Sequence, residues 1–336
     1  MGTGFEAEPG ANSQQPQPTS PYAEPLLSSF PTKIAMSATA ITVRVPATSA
    51  NLGAGFDCLG LALDLFASIT VTFGGPEPMP TDDVGEKMVL TAVRQVYTHI
   101  GKELPPVRVR YNVAIPLGRG LGASAVARVA GVLAANEFAG KPLSPDECLA
   151  IAAELEGHAD NACPALFGGM QVCIENEGRY LRVPCRYPSD TSIAVLIPDH
   201  PMATKDARKV LPDTYSKADV IHNTGRAALF VAAMAAGRVD LLDAATDDRI
   251  HQRQRAVLFP PMFDIFTAAK KAGAYAAWLS GAGSSIAAIC PPDAARTVAN
   301  AMLTELQATG MTGRALPTRI AREGATVGKI ELVEDL

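Results

Sequence analysis

Three glycines at alternate positions, Gly118, Gly120 and Gly122, stand where an alternating apolar run gives way to an alanine-rich stretch. Where a strand turns into a helix, glycine removes the side chains that would keep an anion at a distance. Backbone N–H groups and the positive end of the helix dipole can then approach a phosphate closely. Ser124, just after the loop, adds a hydroxyl able to bind Mg²⁺ on such phosphates. The spacing is neither G-x-x-x-x-G-K-[ST] nor G-x-G-x-x-G with an acid downstream, so two common nucleotide motifs are absent. Glycine also serves tight turns with no ligand, and a serine there can cap a helix. The loop alone decides neither.

The elements around it form a consistent frame. Val107, Val109, Tyr111, Val113 and Ile115 alternate strictly and predict a strand running into the loop, and the alanine-rich stretch beyond predicts a helix ending at Gly140. Ser144-Pro145-Asp146-Glu147 combines an N-cap serine, a first-turn proline and a capping-box glutamate, predicting a second helix to about Glu156. Upstream, Ile41, Val43 and Val45 open a first strand that Pro46 is expected to stop, followed by a strand over 67–73 and a helix over 84–100. Further strands are expected near 171–175, 179–183, 193–197, 275–279, 286–289, 315–321 and 327–333, with helices near 217–236, 262–272 and 293–308.

A chain of 336 residues fits two packed domains, and the reading here is residues 39–188 and 189–336 after an arm over 1–38. Six of the 26 prolines fall in the first 35 residues with several Gln, Ser and Gly, so the arm is expected to be disordered. It has neither an apolar signal core nor an arginine-rich transit composition, and Met36 is a second candidate start. Net charge is −5 with Lys and Arg scattered, which argues against a nucleic-acid partner. The six cysteines show no C-x-x-C pair and read as reduced thiols, and no apolar run is long enough to span a bilayer. A cytoplasmic setting without membrane contact is the expectation.

Pro116-Leu117-Gly118-Arg119-Gly120-Leu121-Gly122-Ala123-Ser124-Ala125 resembles the P-x-x-x-G-L-G-S-S-A phosphate loop of the GHMP small-molecule kinases, with Ala123 where the family commonly has serine. Pro46-Ala-Thr-Ser-Ala-Asn51-Leu-Gly-Ala-Gly-Phe-Asp57 is similar to that family's first motif. Leu279-Ser280-Gly281-Ala282-Gly283-Ser284 resembles its third, with Ser284 in place of proline. Each piece alone could be a glycine turn; three in order span nearly all of residues 41–336. The resemblance implies an α+β, two-domain fold: an N-terminal domain like ribosomal protein S5 domain 2 that binds ATP, and a ferredoxin-like C-terminal domain. It also implies ATP and Mg²⁺ as cofactors, residues 116–125 as the ATP loop, and a homodimer.

The acceptor is implied by residues outside that loop. His158-Ala-Asp160-Asn161 with Pro164 and Gly168-Gly169 looks like the H-x-D-N-x-x-P-x-x-x-G-G segment of the homoserine-kinase branch, where the His and Asp help bind the amino acid. Asn161 falls where several other members carry a catalytic aspartate, and it joins Ser124 as a catalytic candidate. Thr204-Lys-Asp-Ala-Arg208 through Pro212 resembles the T-[KR]-x-x-R-x-x-L-P stretch whose arginine holds a substrate carboxylate, and Arg255 matches a second such arginine. L-homoserine is a zwitterion, so fixed cations suit its carboxylate and acidic groups its ammonium. The implied substrate set is Asn51, Asp57, His158, Asp160, Thr204, Arg208, Arg255 and Gly281. For the metal, Ser124 is joined by Glu156, with Glu154 the alternative.

Read without the resemblance, a His-x-Asp-Asn after a helix is a cap and turn, and a single arginine is a solvated charge. The competing functions are another kinase of the same family, acting for example on mevalonate or shikimate, and a non-catalytic ligand-binding regulator.

Overall fold

The computed structural model describes residues 38–76, 80–112 and 115–333. The arm over 1–38 and the alternative start at Met36 fall outside the described residues, apart from Ala38.

Strand β1 (Ala38–Ala50) leads through a tight loop to β2 (Leu59–Gly74), then helix α1 (Val84–His99), β3 (Val107–Asn112), α2 (Ala123–Phe138), α3 (Pro145–Glu156) and α4 (Ala162–Phe167). The hairpin β4 (Met170–Asn176) and β5 (Arg179–Cys185) follows. After it come β6 (Ser192–Pro198), α5 (Thr204–Lys209), α6 (Lys217–Ala236), α7 (Leu242–Thr246), α8 (Gln252–Arg255), α9 (Met262–Lys271), β7 (Ala276–Leu279), β8 (Ile286–Cys290), α10 (Ala295–Ala308), β9 (Gly313–Thr318) and β10 (Thr326–Val333).

Among the described residues, six strands form one sheet in the order β10-β1-β2-β4-β5, with β3 also on β2. β2 serves both partners because it is long: Leu59–Leu61 pairs with β4 and Ser68–Phe73 with β3. The strand expected over 67–73 is therefore only the second half of β2. Nor does Pro46 stop β1. The pairing shifts register between Pro46 and Ala47, and the strand continues to Ala50. A proline without an N–H is tolerated at such a bulge, where one ladder bond is already forgone. The last strand, β10, returns to pair with β1 from Ala38↔Val333 to Arg44↔Thr326.

The second sheet runs β7-β8-β6-β9, and with α5–α9 before β7 and α10 before β9 its connectivity is β-α-β-β-α-β. Its central strand β6 reads Ile193-Ala-Val-Leu-Ile197 because both faces are covered. Ile193, Val195 and Ile197 join the core shared with the first sheet, and Ala194 and Leu196 pack with Met262, Ile265 and Met302 of α9 and α10. This is the α+β fold that the resemblance implied, the second sheet having the ferredoxin-like order. Local signals also act as read: Ser144 and Glu147 form the capping box of α3, which ends at Glu156, and Gly140, with φ 87°, follows the end of α2.

Candidate active site

The three glycine-bearing motifs meet at one seam. Trp278 Nε1–H donates to Ser49 Oγ at 3.0 Å, and Ser280 Oγ lies 2.8 Å from Ser49 Oγ and 2.7 Å from the Gly120 carbonyl. The Gly281 amide donates to Ala50 O at 3.1 Å, and the Ser285 amide to Arg119 O at 3.0 Å. Gly120 has φ +76°, and a Cβ there would run into the Ser280 carbonyl. Gly122 has φ +67°, and a Cβ there would strike Thr48 Oγ1. These glycines let three chain segments approach as backbone.

Beside the seam lies a cleft of about 230 Å³. Of the expected ATP-loop residues, Leu117, Gly118, Gly120, Gly122, Ala123 and Ser124 line it. The others do not. Leu121 and Ala125 are buried in the core, Pro116 is half-buried away from the cleft, and Arg119 ties the loop to the second sheet by donating to Pro198 O and Asp199 O at 2.9 Å each. Helix α2 opens at Gly122 with no side chain capping its first amides, which leaves those donors for an anion. Ser124 is not a cap either: its Oγ–H donates to Glu156 Oε2 at 2.9 Å.

That pair brings together the two residues expected to hold a metal. A hydroxyl and a carboxylate converge at the mouth of the loop, and Glu156 Oε1 is buried without a hydrogen-bond partner, although Arg128 Nη1 approaches to 2.5 Å. Hard oxygen donors of this kind suit Mg²⁺, whose remaining positions phosphates and water fill. Glu154 is exposed and does not line the cleft. Among the described residues no group of three His, Cys, Asp or Glu could hold an ion on its own.

All eight residues of the implied substrate set line the same cleft. Asn51, with φ 70°, sits in the β1–β2 loop; its Oδ1 accepts from the Asp57 amide at 3.0 Å and its Nδ2–H donates to Gly281 O at 2.8 Å. Asp57 in turn holds Arg208 of α5 through two bonds of 2.8 and 3.0 Å. Arg255, on α8, is only 2 % exposed and bonds no carboxylate: its donors go to Gly281 O, Ala207 O and His251 Nδ1 at 3.0, 3.2 and 3.1 Å. Burial, then the like charge of Arg208, pushes its pKa down to about 10, so it remains a cation at neutral pH. Thr204 opens α5 at the rim.

The same cleft also holds acidic ground. His158 Nδ1–H donates to Asp160 Oδ1 at 2.5 Å, and Asn161 Nδ2–H donates to the same oxygen at 3.1 Å. Burial alone would lower the His158 pKa, but the Asp160 hydrogen bond and charge, with Glu156 and Asp57, outweigh it and the pKa is raised. Asn161 is pinned on its other side, where Oδ1 accepts from Thr48 Oγ1 at 2.8 Å.

Several contributors carry no signal strong enough to single them out in sequence. Thr48 and Phe56 lie inside the first motif as silent positions; the Phe56 ring centroid is 5.5 Å from the Arg208 guanidinium and 5.3 Å from that of Arg255. His251, fully buried and with its pKa lowered chiefly by burial, donates through Nε2–H to Gly53 O at 2.8 Å and offers Nδ1 to Arg255. Met202, Ala282, Val84 and Met88 add apolar wall.

An uncapped helix start, a hydroxyl–carboxylate pair and a polar acceptor pocket together make a site for moving a phosphoryl group to a small molecule, and family comparison agrees. The models "GHMP kinases N terminal domain" and "GHMP kinases C terminal" match residues 87–169 and 230–308, and the chain belongs to the GHMP kinases. Homoserine kinases of Synechococcus and Deinococcus radiodurans are 38 % and 40 % identical, covering 85 % of this chain in each case and 97 % and 96 % of their own lengths. The crystal structure of homoserine kinase from Cytophaga hutchinsonii superposes with a TM-score of 0.78 at 27 % identity, covering 86 % of this chain and 97 % of that one. Within the GHMP kinases, then, the chain groups with the homoserine kinases.

Proposed function

We propose that this cleft transfers the γ-phosphate of ATP to the side-chain hydroxyl of L-homoserine, giving O-phospho-L-homoserine for threonine biosynthesis. The observation that carries the reading is the convergence, in one cavity, of the phosphate loop with Arg208, Arg255, Asp160 and His158. Arg255 and the outer N–H groups of Arg208 suit the amino-acid carboxylate, and Asp57 and Asp160 suit its ammonium.

Bound Mg²⁺, held by Ser124 and Glu156, would neutralise charge on the phosphates. The α2 amides and loop glycines would hold those phosphates in line with the acceptor oxygen. All three carboxylates lining the cleft are already engaged: Asp57 by Arg208, Asp160 by His158 and Asn161, and Glu156 by Ser124. None stands ready as a strong base, which suits phosphoryl transfer achieved through positioning and electrostatics. Asn161, fixed by Thr48 and Asp160, contributes a neutral wall at the reacting hydroxyl.

No described helix is long and apolar enough to cross a membrane, and a cytoplasmic homodimer belongs to the same reading, to be checked by sedimentation. The decisive experiment is a coupled ADP-release assay with MgATP over homoserine, mevalonate, shikimate and other hydroxylated acceptors, with the product identified by ³¹P NMR. Turnover selective for homoserine is expected. Preference for a different acceptor, or ligand binding with no ADP formed, would reject the assignment.

A further inference from the structure

We propose that Arg128 is a countercharge for Glu156, letting the phosphate loop accept a nucleotide before the metal is in place at the expense of a looser hold on the metal. The inference rests on the reading of the cleft as a nucleotide site.

Arg128 lies four residues beyond Ser124 on α2 and so one turn along the same face. Its neighbours Ala125, Val126, Ala127, Val129 and Ala130 are all buried apolar residues, and packing gives no reason for a cation among them. Its guanidinium stands 2.5 Å from Glu156 Oε1, with the two side chains 19 % and 7 % exposed. Glu156 lines the cleft and Arg128 does not, so Arg128 acts through the carboxylate rather than on substrate. It is a positioning residue.

The charges give it a task. Free ATP approaches as a multiple anion, and an uncompensated carboxylate beside the loop would repel it; in a partly buried site that repulsion is weakly screened. Pairing Glu156 with Arg128 brings the local charge near zero. The same pairing competes with Mg²⁺ for the carboxylate, so the metal site is weaker than Ser124 and Glu156 alone would make it.

The test compares wild type with Arg128→Leu in two binding measurements that need no turnover. In EDTA, a fluorescent ATP analogue should bind roughly ten-fold more weakly to R128L, the size expected for one charge-assisted effect. In the presence of a non-hydrolysable nucleotide, Mn²⁺ followed by electron paramagnetic resonance should bind several-fold more tightly. Arg128→Lys should stay near wild type in both, and the double variant R128L/E156Q should regain metal-free nucleotide affinity.

Unchanged binding in R128L overturns the proposal, as does parallel weakening of nucleotide and Mn²⁺. A nucleotide defect that E156Q fails to rescue would assign Arg128 to the phosphates themselves and also overturn it. Should R128L lose cooperative melting, Arg128→Gln, which keeps the stem, carries the same measurements. Wild type is assayed in parallel for homoserine phosphorylation. If it binds nucleotide and turns over while R128L is unaltered, only the countercharge fails; if wild type binds no nucleotide, the functional reading fails first.

Discussion

Asp57 grips Arg208 with both carboxylate oxygens, at 2.8 and 3.0 Å, across a sequence separation of 151 residues. The arginine implied for the substrate carboxylate is thus already held by the aspartate that faces the same pocket. On the proposed reading, a bound amino acid would complete this pair by adding its carboxylate to the remaining guanidinium N–H groups and its ammonium to Asp57. Asp57→Asn and Arg208→Gln should each raise the homoserine KM roughly ten- to a hundred-fold at saturating MgATP, corresponding to about 1.5–3 kcal/mol per charge-assisted contact. The double variant should cost less than the product of the two, because neither charge is then left unpaired. Steady-state kinetics on the four proteins measure this, and strict multiplicativity would show the two side chains acting independently.

Arg255 makes a different prediction, because its N–H bonds from Nε and Nη1 go to the Ala207 and Gly281 carbonyls and to His251 rather than to an acid. Lysine cannot reproduce that fork. Arg255→Lys should therefore raise the homoserine KM by roughly ten-fold or more while leaving the ATP KM unaltered. With the Arg255 pKa pushed down to about 10, wild-type homoserine affinity should show no loss attributable to this group until the pH approaches that value.

Two glycines of the loop should behave unlike one another. Alanine at Gly118 meets nothing within 4 Å and incurs only the cost of φ +67°, about 1 kcal/mol. Alanine at Gly120 must push back the Ser280 carbonyl at the seam between the sheets. Urea unfolding should place G118A within about 1–2 kcal/mol of wild type and G120A well below it, with nucleotide affinity lost in G120A. Equal stability of the two variants would contradict the seam.

His158 sets a pH dependence. Its pKa in the folded protein is raised above 6.5, so the stability it contributes is fully present below pH 6.5 and is lost as pH rises through the folded value. Wild-type stability should decline over that window above pH 6.5, and His158→Gln should remove the slope. Chemical denaturation at a series of pH values decides the matter; an identical slope in the variant would place the titrating group elsewhere.

Much of this was legible because it is local. The capping box at Ser144 and Glu147, the glycine stop at Gly140 and the strict alternation from Val107 follow from neighbours in sequence. The motif residues could be matched by type and spacing. What stayed hidden depends on partners far along the chain. Nothing near Thr48 announces that it holds Asn161, and nothing near Phe56 announces that two arginines flank it. Pro46 misleads for the same reason: its neighbours say stop, while the pairing of β1 with β2 accommodates it in a bulge.

Because β10 lies beside β1, the N-terminal sheet cannot be completed until nearly the whole chain has been synthesised. On the ribosome the first half of the enzyme would wait with the free edge of β1 unzipped, a long-range closure of the kind that slows folding. A nascent chain released before residue 326 would lack its final staple. Proteolytic or engineered loss of the last dozen residues should accordingly loosen the end of the protein where synthesis began, rather than merely trim a tail.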